Sequence, residues 1–214
     1  MRIVCISDTH NLHEGINLPD GDILIHAGDF TARGTLPEIE KFLIWFGSQT
    51  HKYKLLISGN HDIMFDTDRD LIDRVLTTLS PNVIYLRDSG VEIAGEFIWG
   101  SPWVKGLPYW AFGNKKHLRQ VWALIPENTT ILITHMPAWG HLDNLTNVGR
   151  LGSESLAVRV HDLHKLKLHV FGHIHEGYGM KDYGRPIRVN AAQCSEPTIV
   201  GSNYIQNTPI VVEI

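Results

Sequence analysis

The chain is poor in the features that mark most specialised protein classes. Only two cysteines, Cys5 and Cys194, occur in 214 residues. That count excludes a disulfide framework, and Cys5, set inside an apolar run, reads as a buried structural thiol. No long unbroken apolar run is present, so no membrane span is predicted. Neither charge sign dominates. The formal net charge of −4 argues against a surface built for membranes or for a stable nucleic-acid partner. Met1-Arg2-Ile3-Val4 leads straight into a strand-like run without a leader pattern, and a reduced, cytoplasmic setting is the expectation. Repeats, low-complexity tracts and long linkers are also missing. With 43% hydrophobic and 20% charged residues, 1–214 reads as a single domain with an ordinary core.

Histidine, by contrast, is plentiful, with 13 residues. Histidine is the commonest side-chain metal ligand and titrates near neutral pH, but many histidines merely sit on surfaces. Placement has to decide.

Five short apolar or β-branched runs read as buried strands: Arg2–Ile6, Ile23–Ala27, 53–58, Ile131–Thr134 and Leu168–Phe171. Helical patterns lie between them. One starts at Thr35-Leu36-Pro37-Glu38 and stops near Gly47; others cover 68–79, 115–124 and 153–165. A hairpin is expected across Ala94-Gly95, with late strands over 185–190 and 210–214. Alternating helices and strands followed by hairpins predict an α/β fold with mixed sheets. The aromatic-rich stretch from Ser101 to Asn114 is expected to be a packed or functional loop.

Polar residues follow each of the five buried runs directly. They are Ser7-Asp8-Thr9-His10, Gly28-Asp29, Gly59-Asn60-His61-Asp62, His135 and Gly172-His173-Ile174-His175. Taken singly, most read as turns or isolated histidines. Together they occupy the carboxyl ends of strands, where α/β sheets collect ligands. Two divalent cations about 3.5–4 Å apart require an anion between them, and the two oxygens of Asp29 suit that bridge. Asn60 and the histidines are neutral, which keeps the ions acidic enough to ionise water. Mixed nitrogen and oxygen ligation favours Mn, Fe, Zn or Co over Ca or Mg.

The order D-x-H, G-D, G-N-H-D, H and G-H-x-H, spanning residues 8 to 175, resembles the calcineurin-like metallophosphoesterase superfamily. The resemblance implies a four-layer α/β/β/α sandwich with two mixed β-sheets and the metal site at the strand C-terminal edge. It implies that Asp8, His10, Asp29 and His175 hold one ion and that Asp29, Asn60, His135 and His173 hold the other. His61 would then be a non-ligand that steadies phosphate and protonates the leaving oxygen, with Asp62 orienting it. A metal-bridging hydroxide would attack phosphorus in line. The segments His26-Ala27-Gly28-Asp29-Phe30-Thr31, Gly100-Ser101-Pro102-Trp103 and Gly172–Gly179 are similar to small metallophosphoesterase-domain-containing proteins first described in animal brain. That likeness implies Mn-dependent phosphodiesterase activity, including on cyclic nucleotides. Some animal members of that group carry Gly where this chain has His173. Ser/Thr phosphatases of the superfamily carry G-D-x-x-D-R, whereas here Ala32 precedes Arg33. Arg33 then reads either as a phosphate contact alongside Asn60 and His61 or as an exposed turn residue. Trp103, Tyr109, Trp110 and Phe112 read either as a stacking surface for a base or as packing. His141 reads either as a substrate contact or as an exposed loop histidine, and Asn190 either as facing the site or as ending a turn. The main expectation is hydrolysis of a small phosphodiester. A phosphomonoesterase and a weakly metallated nucleotide-binding protein are the alternatives, and the oligomeric state is open.

Overall fold

The computed structural model describes residues 1–113, 117–182, 184–195 and 204–214. Its strands are β1 (Arg2–Ile6), β2 (Ile23–Ala27), β3 (Tyr53–Ile57), β4 (Val83–Tyr85), β5 (Ser89–Ile93), β6 (Glu96–Ser101), β7 (Ile131–Thr134), β8 (Asn144–Leu145), β9 (Gly149–Arg150), β10 (Leu168–Phe171), β11 (Gly179–Lys181), β12 (Ile187–Asn190) and β13 (Ile210–Glu213). The helices are α1 (Leu36–Gly47), α2 (Met64–Thr67), α3 (Arg69–Leu79), α4 (Leu118–Trp122) and α5 (Glu154–Asp162). One mixed sheet has the order β13-β1-β2-β3-β4 and the other β11-β12-β10-β7-β6-β5, while β8 and β9 form a small hairpin.

Side-chain alternation along the strands builds the layers. Ile3, Cys5, Ile23, Ile25, Leu55 and Ile57 of the first sheet pack with Ile98, Ile131, Ile133, Leu168 and Val170 of the second. The opposite faces carry Val4, Ile6, Leu24 and Leu56, which share a core with Phe42 and Phe46 of α1 and Ile72 of α3, and Leu132, which shares one with Trp122 and Leu156. Both faces of the central strands are therefore buried, which is why those strands read as unbroken apolar runs.

Helix starts are set by local chemistry. The Glu38 carboxylate accepts the backbone N–H of Thr35 at 3.0 Å. Asp68 caps α3 through Leu71 N, and Ser153 caps α5 through Leu156 N. The expected helices over 68–79 and 153–165 are shorter by these caps, and the latter ends at Asp162. The expected helix over 115–124 contains α4, which runs from Leu118 to Trp122; residues 115 and 116 lie outside the described residues.

Candidate metal centre

All five strand-end stations meet at one edge of the sandwich. β1, β2 and β3 deliver three from the first sheet, and β7 and β10 deliver two from the second. The seam between the sheets is bonded at that edge. Ser7 bridges Ala192 in parallel, Gln193 N donates to Ser7 O at 2.9 Å, and Cys194 N to Asp8 O at 3.2 Å. Asp8 N donates to Gly28 O, His10 N to Asp29 O, and Gly172 N to His135 O.

The backbone turns sharply here. Asp8, His10, Asp29 and His173 have φ of 53°, 41°, 55° and 67°, a left-handed conformation costing about 1 kcal/mol or more per non-glycine residue. Hydrogen bonds offset that strain. The N–H of His173 donates to both oxygens of Asp8, at 3.1 and 3.0 Å, and the N–H of His61 donates to Asp29 Oδ1 at 2.7 Å. Bare α-carbons are required beside the carboxylates: a Cβ on Gly172 would lie 2.0 Å from Asp8 Oδ2, and one on Gly59 would lie 2.3 Å from Asp29 Oδ1.

The ring nitrogens show what the edge is built to hold. His10 Nδ1 lies 3.3 Å from Thr31 O, His175 Nδ1 3.0 Å from Ser195 O, His135 Nδ1 2.8 Å from Ala27 O, and His61 Nδ1 2.8 Å from Ala32 O. A carbonyl only accepts, so each Nδ1 carries a hydrogen and each neutral ring keeps its lone pair on Nε2. His10 and His175 point those lone pairs at each other across 3.4 Å. His135 Nε2 faces two further acceptors, Asp29 Oδ2 and Asn60 Oδ1, each at 3.2 Å. Acceptors aimed at acceptors need a cation between them, and carbonyl-fixed histidines are the usual outer support of metal ligands. Asp8, His10 and His175 converge within 4.8 Å, as do Asp29, His135 and His173, and as do His10, Asp29 and His61. Asp29 stands in two of the three groups, and the donors fit a pair of divalent ions with mixed nitrogen and oxygen ligation.

Electrostatics agree with that fit. Burial works against ionising Asp29, but the adjacent His135 overcomes it and holds the carboxyl well below its usual range. In return, against its own burial, His135 is held up at about 9 by Asp29. A proton on His135 and a divalent cation would answer the same negative charge. Burial pushes His10 down to about 4, which keeps its ring neutral.

Other expected residues take more specific places. The Asp62 carboxylate makes no bond to the ring of His61. It accepts from Asp29 N and Gly59 N at 2.9 and 2.8 Å, and from Thr31 N and Oγ1 at 3.0 and 2.7 Å. Burial and Asp29 push its pKa up to about 7, while these four donors favour the anion. Asp62 thus fastens the β2 and β3 loops together, and Ala32 O, rather than Asp62, orients His61. Arg33 is exposed, and its backbone N–H is bonded to Glu38. The aromatic loop divides. Trp103 and Phe112 are 2% and 0% exposed and belong to the core, whereas Tyr109 and Trp110 are 98% and 38% exposed. Asp88 accepts from Trp103 Nε1 and Asp66 from Phe112 N, which anchors the loop and leaves Trp110 against His61. Asn190 ends neither a turn nor in the cage: its amide donates to Leu142 O and Ile174 O, beneath the Gly-His-Ile-His turn. His141 lines a separate cavity of about 430 Å³ with Arg150 and Lys181.

Sequence reasoning missed the supports. Thr31, Ala32 and Ala27 act through backbone or hydroxyl groups and leave no residue-type signal. His26 did leave one, a histidine inside a buried strand.

Comparison with known proteins gives this geometry a context. The family model described as Calcineurin-like phosphoesterase matches residues 1–177. Human Metallophosphoesterase domain-containing protein 1 is 41% identical over 236 residues, covering 100% of this chain and 71% of that protein. Among solved structures, the Phosphopantetheinyl Hydrolase of Mycobacterium tuberculosis superposes with TM-score 0.58 at 14% identity over 89% of this chain and 88% of that one. A structure described as a novel archaeal phosphodiesterase gives TM-score 0.51 at 16% identity, over 99% and 100% of the two chains. These two likenesses bear on the fold alone. A family match over most of the length, joined to a full-coverage relative, establishes that the chain belongs to the calcineurin-like phosphoesterase family.

Proposed function

We propose that the protein is a dinuclear-metal-dependent phosphodiesterase that hydrolyses small phosphodiesters such as cyclic nucleotides, with Mn as the preferred ion. The family binds divalent metals and acts on phosphoesters. The observation that carries the reading is the opposed pair of lone pairs on His10 and His175, repeated at His135 against Asp29 and Asn60. In this reading Asp8, His10, Asp29 and His175 hold one ion, and Asp29, Asn60, His135 and His173 the other. When bound, such a pair supplies Lewis acidity and an ionisable water.

The remaining work falls to the chain. Asp29 would serve both sets, with Oδ2 facing His135 Nε2 and Oδ1 accepting the N–H of His61. The carbonyl of Ala32 keeps a hydrogen on His61 Nδ1, so the acid is the doubly protonated ring, which gives its Nε2 proton to the leaving oxygen and is left neutral with the Nδ1 hydrogen in place. Asn60 and His61 meet the phosphoryl oxygens, and the exposed Arg33 beside Ala32 adds a positive charge at the rim. The diester preference is supported by Ala32, which replaces an acid carried by the protein phosphatases, and by the likeness to the small metallophosphoesterase-domain-containing proteins.

The test compares bis-p-nitrophenyl phosphate with p-nitrophenyl phosphate under added Mn, followed by a panel of cyclic nucleotides. Faster turnover of the diester is expected. A faster monoester makes the protein a phosphomonoesterase, and no turnover of either, with two ions bound, removes the enzyme reading.

A further inference from the structure

Two fully buried histidines on strands of the large sheets lie outside the cage. His26 is on β2 and His169 on β10, one in each large sheet, and neither exposes any surface. Their strand neighbours Ile25, Ala27, Leu168 and Val170 belong to the core between the sheets. Alternation therefore turns both histidines to the opposite, helix-covered faces. His26 sits among Phe30, Phe42 and Phe46, with ring centroids 5.9, 5.0 and 6.2 Å away. His169 lies 4.7 Å from the Phe171 ring. An apolar side chain would fill either place without the cost of desolvating an imidazole.

Hydrogen bonds fix the form of each ring. The N–H of Gly28 donates to His26 Nδ1 at 3.2 Å, so the ring hydrogen is on Nε2 and points to Thr9 Oγ1 at 3.0 Å. The Thr134 hydroxyl donates to Met136 O at 2.7 Å, so it accepts from His169 Nε2 at 2.8 Å. Burial pushes both histidines down to about 3, which keeps each one neutral and able to donate from a single nitrogen. Thr9 stands between Asp8 and His10, Gly28 precedes Asp29, and Thr134 precedes His135. The same pair, histidine to threonine, thus recurs one residue from the cage in both sheets.

We propose that each sheet positions the metal ligands at its own edge through a buried histidine bonded to a threonine hydroxyl: His26 through Thr9 for Asp8 and His10 and through the N–H of Gly28 for Asp29, and His169 through Thr134 for His135. The two pairs are positioning devices and touch neither substrate nor ion. This inference rests on the two-ion reading above.

Calorimetric titration of metal-stripped protein with Mn tests it, alongside the thermal midpoint of the same metal-free samples. Thr9→Val and Thr134→Val keep side-chain volume and remove one hydroxyl. His26→Asn keeps an acceptor for Gly28 and loses the donor to Thr9. Each variant is expected to weaken Mn binding by about 10-fold or more, while the metal-free midpoint moves little and Thr9→Ser restores wild-type affinity. Wild-type affinity in Thr9→Val and Thr134→Val overturns the inference. So does a loss of affinity that follows the metal-free midpoint, because that marks a merely structural role. Failure of the wild type itself to bind two Mn ions overturns the two-ion reading instead.

Discussion

The indole of Trp110 packs against the imidazole of His61, with ring centroids 4.5 Å apart and planes at 42°. His10 meets the same imidazole edge-on at 4.6 Å, and Ala32 O holds its Nδ1. His61 is therefore fixed by contacts from both sheets' loops. Trp110→Ala should lower kcat on bis-p-nitrophenyl phosphate by between about 10- and 100-fold, the scale set by loss of orientation. Bound metal should stay at the wild-type level, and Trp110→Phe should recover most of the rate. Steady-state kinetics with metal analysis checks this; an unchanged kcat would show that Trp110 does not set the ring.

Asp29→Asn should strip both ions of the two-ion reading, because Asp29 alone of the described carboxylates stands in two of the convergent groups. The amide keeps the shape and loses the charge. Elemental analysis after gel filtration should find far less than two Mn per chain, and a variant that retains both at full affinity would refute the bridge.

Asp62→Asn should destabilise the fold itself. Four donors converge on two carboxylate oxygens, and an amide replaces one of those oxygens with a fifth donor. Leaving two buried N–H groups unpaired costs about 2–4 kcal/mol. Urea unfolding of the metal-free protein measures it, and a loss below about 0.5 kcal/mol would contradict the clamp.

His169 gives the protein an acid-sensitive component. Its folded pKa is lowered from 6.5 to about 3, by burial first and by Arg188 and His141 second. The unfolded chain then takes up this proton first as pH falls. The contribution of His169 is complete above about 6.5, is lost progressively down to about 3, and does not change further below that. His169→Gln can retain the donor to Thr134 while removing the titration. Its stability against pH should be flatter than wild type between pH 6 and 4, by up to about 1.4 kcal/mol per pH unit. Parallel curves from urea unfolding at several pH values would show that His169 titrates normally.

The convergence of the seven proposed cage residues was legible because each lies just after a buried strand, so local pattern and global position coincide. The central strands were legible for a related reason: strands covered on both faces carry unbroken apolar runs. β4, β8, β9 and β11 are short edge or hairpin pieces, and α2 is a single turn; none has room for a period. The partners of Asp62 lie up to 33 residues away and are mostly backbone atoms, which no residue pattern announces. Trp103 and Trp110 look alike in sequence, yet one is 2% exposed and the other 38%. Only the anchoring of their loop by Asp66 and Asp88 separates packing from presentation.

His10 and His175 meet across 165 residues of chain. Every station of the cage is likewise contributed by a different strand, the last of them after β10. During synthesis, a growing chain lacks two of its seven proposed ligands, His173 and His175, until that final Gly-His-Ile-His turn leaves the ribosome. In the two-ion reading, metal loading is therefore a late event, and a prematurely stopped product ending anywhere before residue 175 lacks part of the proposed cage.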